Sequence, residues 1–536
     1  MKSLFFALSL IFIASCSSTG LEDRANLREL IRVGNYDGAI EFIEENSFFN
    51  LDQNAYLKHL ELGMAYHLKG ISSLAIYHLN QAKEIDDRMF TISISNQLKT
   101  AMTNDLSKNY QGDIYERSSM YFFLALNRAI LGQSDEAIFA DAAQESGFST
   151  RSLSRDEKSG YLYAARATVV AWDSFMENVR RDARDEIFQH DLLAKVGGGF
   201  IHEMIGSSND RQTAIYLYQQ ALKILPSFYA PFETMNSLSG EFKRDAYRGQ
   251  RKKSLVQLTT EAKELKNFLE MKIRHLKKNP KKKHNLMIVW EEGLIGEKKP
   301  KREYYSLARA LAGPDATREQ QQVARMGAGL ITLFASSSLG LLPPPEHYSP
   351  IGLDFGVRLG LAAGSELAIK FDVPIIEKLD PSFPAEVSFH TVDGSEVLRS
   401  PLHLVNPVNE IAEASTSFHS AKRALTLGVR LAWKHLIAIS ASMATYKSMK
   451  KSNAEFVAKQ VALFQYMTAS NLIAESEKAD TRYWSTLPKN VRFSHVYLPP
   501  GKYIIKIHEI SSMGGTSTFG PVQILENQKK IFRARL

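Results

Sequence analysis

Cysteine occurs once in the 536 residues, as Cys16. One thiol cannot close a disulfide within the chain, so stability outside a reducing compartment has to come from packing. Proline is absent before Pro226, so no proline breaks a helix in that long stretch, and glycines separate its segments. Common catalytic signatures are missing too. There is no His-Glu-x-x-His pair, no phosphate-binding loop and no Gly-x-Ser-x-Gly elbow. His390, His403 and His419 stand at no metal-ligand spacing. No catalytic residue, metal or cofactor is therefore assigned. The glycine-rich run Val196-Gly197-Gly198-Gly199-Phe200 falls where a helix is expected, and reads as a point of close helix contact rather than a phosphate cradle. Residues 326–345 carry no charge and approach the length of a membrane span. Three serines and three prolines lower their apolarity, so a buried or partner-docking helix is expected there.

What is present is an ordinary globular composition, 44% hydrophobic and 23% charged, with a net charge of +8 concentrated over Lys243–Arg302. The N-terminus is more specific. Lys2 precedes an apolar run from Leu4 to Ile13, followed by the small residues Ala14-Ser15. The run is too short to span a bilayer and has the form of a signal peptide. Ile13-Ala14-Ser15-Cys16 looks like the lipobox of bacterial lipoproteins, whose cysteine is lipidated and becomes the mature N-terminus. A secretory signal with a coincidental cysteine is the competing reading. Ser17, where such lipoproteins carry Asp for inner-membrane retention, implies sorting to the outer membrane with the body facing the periplasm. Nucleic acid is not met there, so the positive charge is not read as a nucleic-acid footprint.

From about Glu22 to Asn279 the apolar spacing predicts nearly continuous helix. Leu62, Gly63, Tyr66, Ala75, Leu79 and Ala82 match the tetratricopeptide (TPR) offsets. Small residues lie where two antiparallel helices approach, and large ones fill the groove between them. Ala214, Tyr218, Ala221 and Pro226 form a second match. Weaker ones surround Ala39 and Ala137. The steps between the equivalent alanines, 36, 62 and 77 residues, depart from a regular period near 34. An irregular stack is expected, with Tyr110, Tyr115, Tyr121, Phe122 and Phe123 in its core or lining its groove. Ser254–Leu276 reads as a capping helix that runs into the basic linker up to Lys283.

Composition then shifts toward strands: Leu286–Trp290, Leu353–Leu359, Glu366–Phe371, Ala385–Val392, Val491–Leu498, Lys502–Glu509 and Val522–Glu526. Ala424–Tyr446 and Ala454–Glu475 read as helical insertions. The expected architecture is α+β. A leader occupies 1–16, a TPR-like helical solenoid 17–242, a capping helix and linker 243–285, and a β-rich, sandwich-like domain with helical insertions 286–536.

Three stretches, Tyr110–Glu116 with Tyr121–Ala137, Val289–Leu294, and Ala479–Pro488 with Leu498–Gly501, together resemble a family of bacterial TPR-containing outer-membrane lipoproteins. The resemblance spans most of the mature chain and implies a cell-envelope role, without catalytic residues to carry over. The expectation is a non-enzymatic adaptor that binds protein partners of the envelope and is held to the membrane by its lipid. The alternative is an envelope hydrolase or transferase with an unrecognised site in the C-terminal domain.

Replacing Cys16 with Ala removes the sulfur that would carry the lipid. Since stable anchoring takes more than one acyl chain, the variant is expected to fractionate as soluble or to stay uncleaved. Unchanged processing and membrane association would show that Cys16 is not the anchor.

Overall fold

The computed structural model describes residues 20–96, 108–140, 147–182, 187–238, 256–278, 284–306, 368–419, parts of 438–449, 455–476, 478–510, 515–526 and 528–535. Cys16, the uncharged segment 326–345, the strand expected at Leu353–Leu359 and the start of the insertion at Ala424 lie outside the described residues.

The chain is α+β, with helices first and a sheet after them. The helices are α1 (Leu21–Arg32), α2 (Tyr36–Glu45), α3 (Ala55–Lys69), α4 (Ser72–Asn96), α5 (Ile114–Leu131), α6 (Arg155–Asp182), α7 (Leu192–Ile205), α8 (Ser208–Phe228) and α9 (Thr260–Lys278). Start and stop signals are local. Asp113 and Glu116 form a capping box on α5, Asp191 caps α7 through the Leu193 N–H, and α3 and α7 end on Gly70 and Gly206 with positive φ.

Consecutive helices pack in pairs, α3 with α4, α5 with α6, and α7 with α8. A Cβ on Gly63 would meet Leu79 at 2.8 Å, and one on Gly199 would meet the Tyr218 ring at 2.4 Å. The neighbouring Gly198 faces Val169 at 2.8 Å. The triple glycine is thus a place where α7 is hemmed in by α6 and α8. Leu62, Tyr66, Ala75, Ala82, Ala214, Tyr218 and Ala221 are all buried. Pro226 lies inside the last turn of α8 rather than behind it.

Ala137 corrects one expectation. It lies in a strand, β1 (Glu136–Ala140), paired antiparallel with β2 (Phe148–Ser152), and not in the second helix of a hairpin. The ribbon is held locally, with Arg151 over the Phe139 ring at 4.4 Å and the Ser73 hydroxyl donating to the Ile138 carbonyl. The helix partner of α5 comes only after this ribbon, as α6, where Leu162 sits against Gly132.

The remaining elements are β3 (Leu286–Glu292), β4 (Lys298–Ser306), β5 (Ala368–Ile376), β6 (Ala385–Thr391), β7 (Glu396–Asn406), α10 (408–419), α11 (Glu455–Ser476), β8 (Asn490–Val496), β9 (Gly501–Glu509), β10 (Thr516–Ile524) and β11 (Lys530–Arg535). Seven strands form one sheet in the order β10-β9-β6-β7-β8-β3-β11, while β4 and β5 pair separately. β7 pairs with β6 along Glu396–Leu402 and with β8 along His403–Asn406, so it passes from one half of the sheet to the other. β11 joins β3 in parallel, Lys530 opposite Leu286.

β3 explains its own continuous apolar run. Met287 and Val289 enter a core shared with the helices, and Leu286, Ile288 and Trp290 enter a second core with Val387, Phe389, Ile505 and Ile507. A strand buried on both faces has no polar side to alternate with. The first core runs without interruption from Leu27 of α1 to Ile531 of β11. Helices and sheet, separated in sequence, are continuous in packing. α9 begins at Thr260, later than expected, and packs between α8 and β7. β4, β7 and β11 were not foreseen. In each, charged or proline residues interrupt the apolar pattern that marks a strand.

Gly199→Ala and Gly160→Ala should act with opposite sign. The first drives a methyl into a ring and is expected to cost about 1–3 kcal/mol. The second sits in α6 with nothing within 4 Å, and should gain about 0.5–1 kcal/mol from lower unfolded-state entropy and better helix propensity. Chemical denaturation of both variants checks this, and equal signs would refute the packing described for α7.

Candidate functional site

The densest arrangement of buried charge surrounds the loop between α11 and β8, residues 479–487, and this loop contains Asp480, Arg482 and Trp484. It enters the helical array with its backbone polar groups buried, and those groups need partners. Glu61 of α3 supplies one. Its Oε1 accepts from the Ser485 N–H (2.7 Å) and the Ser485 hydroxyl (2.8 Å), and its Oε2 accepts from the Thr486 hydroxyl. Glu116 of α5 supplies another, accepting from the Trp484 N–H at 2.6 Å and the Tyr110 hydroxyl at 2.6 Å. Burial pushes both carboxyls above their usual range, and the donors around each oppose that rise.

Cations of α1 complete the enclosure. The Arg28 guanidinium donates to the Ser485 carbonyl at 2.9 Å. Arg24 donates to Thr481 at 3.2 Å and lies over the Phe48 and Tyr483 rings. Arg482 is a hub. It makes a two-point contact with Asp480 (2.9 and 2.7 Å), donates to Asn54 at 2.9 Å, and donates to the Lys108 carbonyl at 3.0 Å. Burial alone would raise the Asp480 carboxyl, but Arg482 and Lys298 hold it below its usual range. Trp484 is buried edge-on against Phe123, ring centres 5.9 Å apart. The tryptophan therefore closes the contact between the loop and α5, in the N-terminal array.

A second cluster centres on Lys272 of α9, whose side chain is fully buried. Its ammonium has three protons and three acceptors: Glu203 Oε2 at 2.7 Å, His495 Nδ1 at 2.8 Å and His284 Nδ1 at 3.2 Å. Both imidazoles must then be neutral at Nδ1. Burial and the neighbouring ammonium agree, bringing His284 down to about 3 and His495 well below its ordinary value. His67 is buried likewise, between Asn127 (3.0 Å) and Glu291 of β3 (2.7 Å).

A third arrangement lies on the neighbouring strands β6 and β9, around a fully buried Ser388. Ser388 of β6 is placed 2.9 Å from His390 Nε2 and 2.7 Å from His508 Nε2. His390 Nδ1 lies 3.2 Å from the Gly394 carbonyl, which fixes that nitrogen as the donor and leaves Nε2 to accept from the serine. His508 Nδ1 contacts the Thr516 hydroxyl at 3.0 Å.

The three histidines singled out in the sequence are not brought together. His403 stacks on Phe268 (4.3 Å), His419 contacts Asp113 (3.2 Å), and His390 belongs to the serine cluster. Among the described residues no group of three His, Cys, Asp or Glu is placed to hold a metal ion. No described helix is long and apolar enough to cross a membrane. Tyr110, Tyr115, Tyr121, Phe122 and Phe123 are core, not groove. Sequence reasoning missed Glu61 and Glu116. A signal existed for each: Glu116 completes the Asp113 capping box, and Glu61 stands alone on the apolar face that Leu60 and Leu62 define.

Compared with known proteins, the chain matches no family model, no curated protein and no solved structure.

Trp484→Ala in the full-length protein is expected to cost about 3–5 kcal/mol through the cavity it leaves. Glu61→Gln, which loses one acceptor among three donors, should cost about 1–3 kcal/mol. Because both side chains hold one loop, the double variant should lose less than the sum. Urea denaturation of the four proteins measures this, and additivity within about 0.5 kcal/mol would mean that the two contacts act independently.

Proposed function

We propose that the protein is a non-enzymatic, lipid-anchored scaffold on the periplasmic face of the outer membrane, with TPR-like helix pairs and a sandwich-like sheet acting as one rigid body that recruits a protein of the cell envelope. The observation that carries this reading is where the helical array leaves its aromatic residues. Its inner face is occupied by the sheet and the 479–487 loop. Outward, Tyr77 of α4, Tyr163 of α6 and Tyr216 of α8 each remain 55% exposed. Tyr77 and Tyr216 stand two residues after Ala75 and Ala214, at the same place in two helix pairs. Tyrosine offers a large, stiff contact surface with a polar tip, which suits a protein interface.

The anchor fits the same picture. Residues 17–20 alone separate Cys16 from α1, a tether of at most about 15 Å when extended. Arg24 and Arg28 fasten α1 to the loop it covers. The body would therefore ride close to the membrane. The buried acids Glu61 and Glu116 are consumed by hydrogen bonds of the chain's own backbone and hydroxyls, which favours architecture over chemistry for them.

A second reading, an envelope hydrolase or transferase, draws on the Ser388–His390 pair, which has the order of a nucleophile, a base and a group orienting the base. A fluorophosphonate probe that labelled Ser388 would favour it over the scaffold.

Photo-crosslinking amino acids placed at positions 77 and 216 in intact cells test the leading reading. A discrete adduct of the same mass from both positions, and none from a control at the exposed Phe383, is the expected result. No adduct from either position would remove the helix pairs from the partner surface.

A further inference from the structure

We infer that the end of α9, from Lys272 to Lys278, is an acid-sensitive latch, docked against α7 and β8 while the three histidines around Lys272 are neutral and released when they take up protons. The inference does not rest on the scaffold reading.

The first observation is a shortage of acceptors. His275 of α9, His284 just before β3 and His495 of β8 gather around the buried Lys272 ammonium. Nδ1 of His284 and Nδ1 of His495 already accept from that ammonium, and the His275 ring stacks on His284 with centres 4.3 Å apart. Nε2 of His275 and Nε2 of His495 are buried with no hydrogen-bond partner among the described residues. An imidazolium has two N–H donors to satisfy. At His495 neither nitrogen has an acceptor to donate to. His202 on α7 shows the contrast, with Asp210 Oδ1 2.8 Å from its Nδ1.

The second observation is charge. Among the described residues, the charged and titratable groups facing the cluster are Glu203 of α7, Tyr218 of α8, Lys272 and His275 of α9, His284, His495 of β8, and Lys529 just before β11. Glu203 is the one carboxylate among them. Its Oε2 meets Lys272, its Oε1 accepts from the Tyr218 hydroxyl, and Lys529 donates to its backbone carbonyl. With neutral rings the cluster therefore holds two ammoniums and one carboxylate. Each further proton adds repulsion where little water screens it. One turn back, Phe268 of α9 stacks on His403 of β7, which burial and the Arg492 guanidinium bring down to about 4.

The third observation is access. His275 and His284 are half-buried, whereas His495 is buried, so protons reach the outer rings first. His275 also lies in the last turn of α9, where a helix opens from its end. Burial and the Lys272 ammonium hold all three rings below their ordinary value in the docked state. Once released they return to about 6.5, so protons bind the released state more strongly and docking weakens as pH falls below about 6.5.

Amide hydrogen exchange of the full-length protein between about pH 7.5 and pH 5, corrected for the intrinsic pH dependence of exchange, tests this. One ring that titrates near 6.5 when released and far lower when docked contributes about thirtyfold at pH 5. Protection of residues 270–278 is expected to fall at least that much, while protection of α5, which contains no histidine, stays nearly constant. His275→Asn with His284→Asn keeps a neutral acceptor near each Nδ1 position and cannot be charged. It should reduce the loss at α9 by about tenfold or more. A loss at α9 no larger than that at α5, or a double variant as acid-sensitive as the parent, would overturn the inference. The comparison of α9 with α5 in the parent decides the matter even where the variant does not fold.

Discussion

Everything at the junction of helices and sheet depends on one constraint, that backbone N–H and C=O groups buried away from water must find partners. The 479–487 loop brings such groups into the middle of the molecule, beyond the reach of either a helix ladder or a strand ladder. Glu61 and Glu116 meet the N–H groups of Ser485 and Trp484, and Arg28 and Lys298 meet the carbonyls of Ser485 and Arg482. Opposite charges are thus assigned to opposite polar groups of one loop. A single substitution among them leaves a buried partner unpaired, and that costs more than the net worth of the bond lost.

The loop could not be held this way if the helices and the sheet were separate bodies. Glu61, Glu116 and Arg28 come from three helices, and the loop leads directly into β8, which lies between β7 and β3 in the sheet. β8 in turn carries Arg492, which donates to Glu292 of β3 at 3.1 Å, to Glu261 of α9 at 2.7 Å and to the Leu402 carbonyl of β7 at 3.3 Å. His495, three residues on, faces Lys272 of α9. Two successive polar anchors on one strand therefore secure α9 between the helix array and the sheet. Buried ion pairs of this kind fix which surfaces meet more than they add to stability.

Such a body is closed toward its centre and informative at its edges. The exposed tyrosines of α4, α6 and α8 and the outward phenylalanines of α11 lie where the rigid interior no longer dictates the side chain.

Some of this was legible in the residues alone. The spacing of Gly63, Ala75 and Ala82 announces a close helix pair because only small side chains fit where backbones approach, and that requirement is local. The run Leu286–Trp290 announces a buried strand for a similar reason. Other features are not local. Ala137 stands at the spacing of a helical repeat yet pairs with Arg151 in a ribbon, because α6 took the place beside α5. Nothing near Glu61 in sequence names Ser485, which lies 424 residues away. The parallel partnership of β11 with β3 joins residues from the C-terminus to residues near the middle of the chain. The sequence by itself determined most of the helical segments, which runs are apolar, and where small residues permit contact. Only the tertiary structure decided which buried charge answers which backbone group, because that choice depends on distances no local pattern contains.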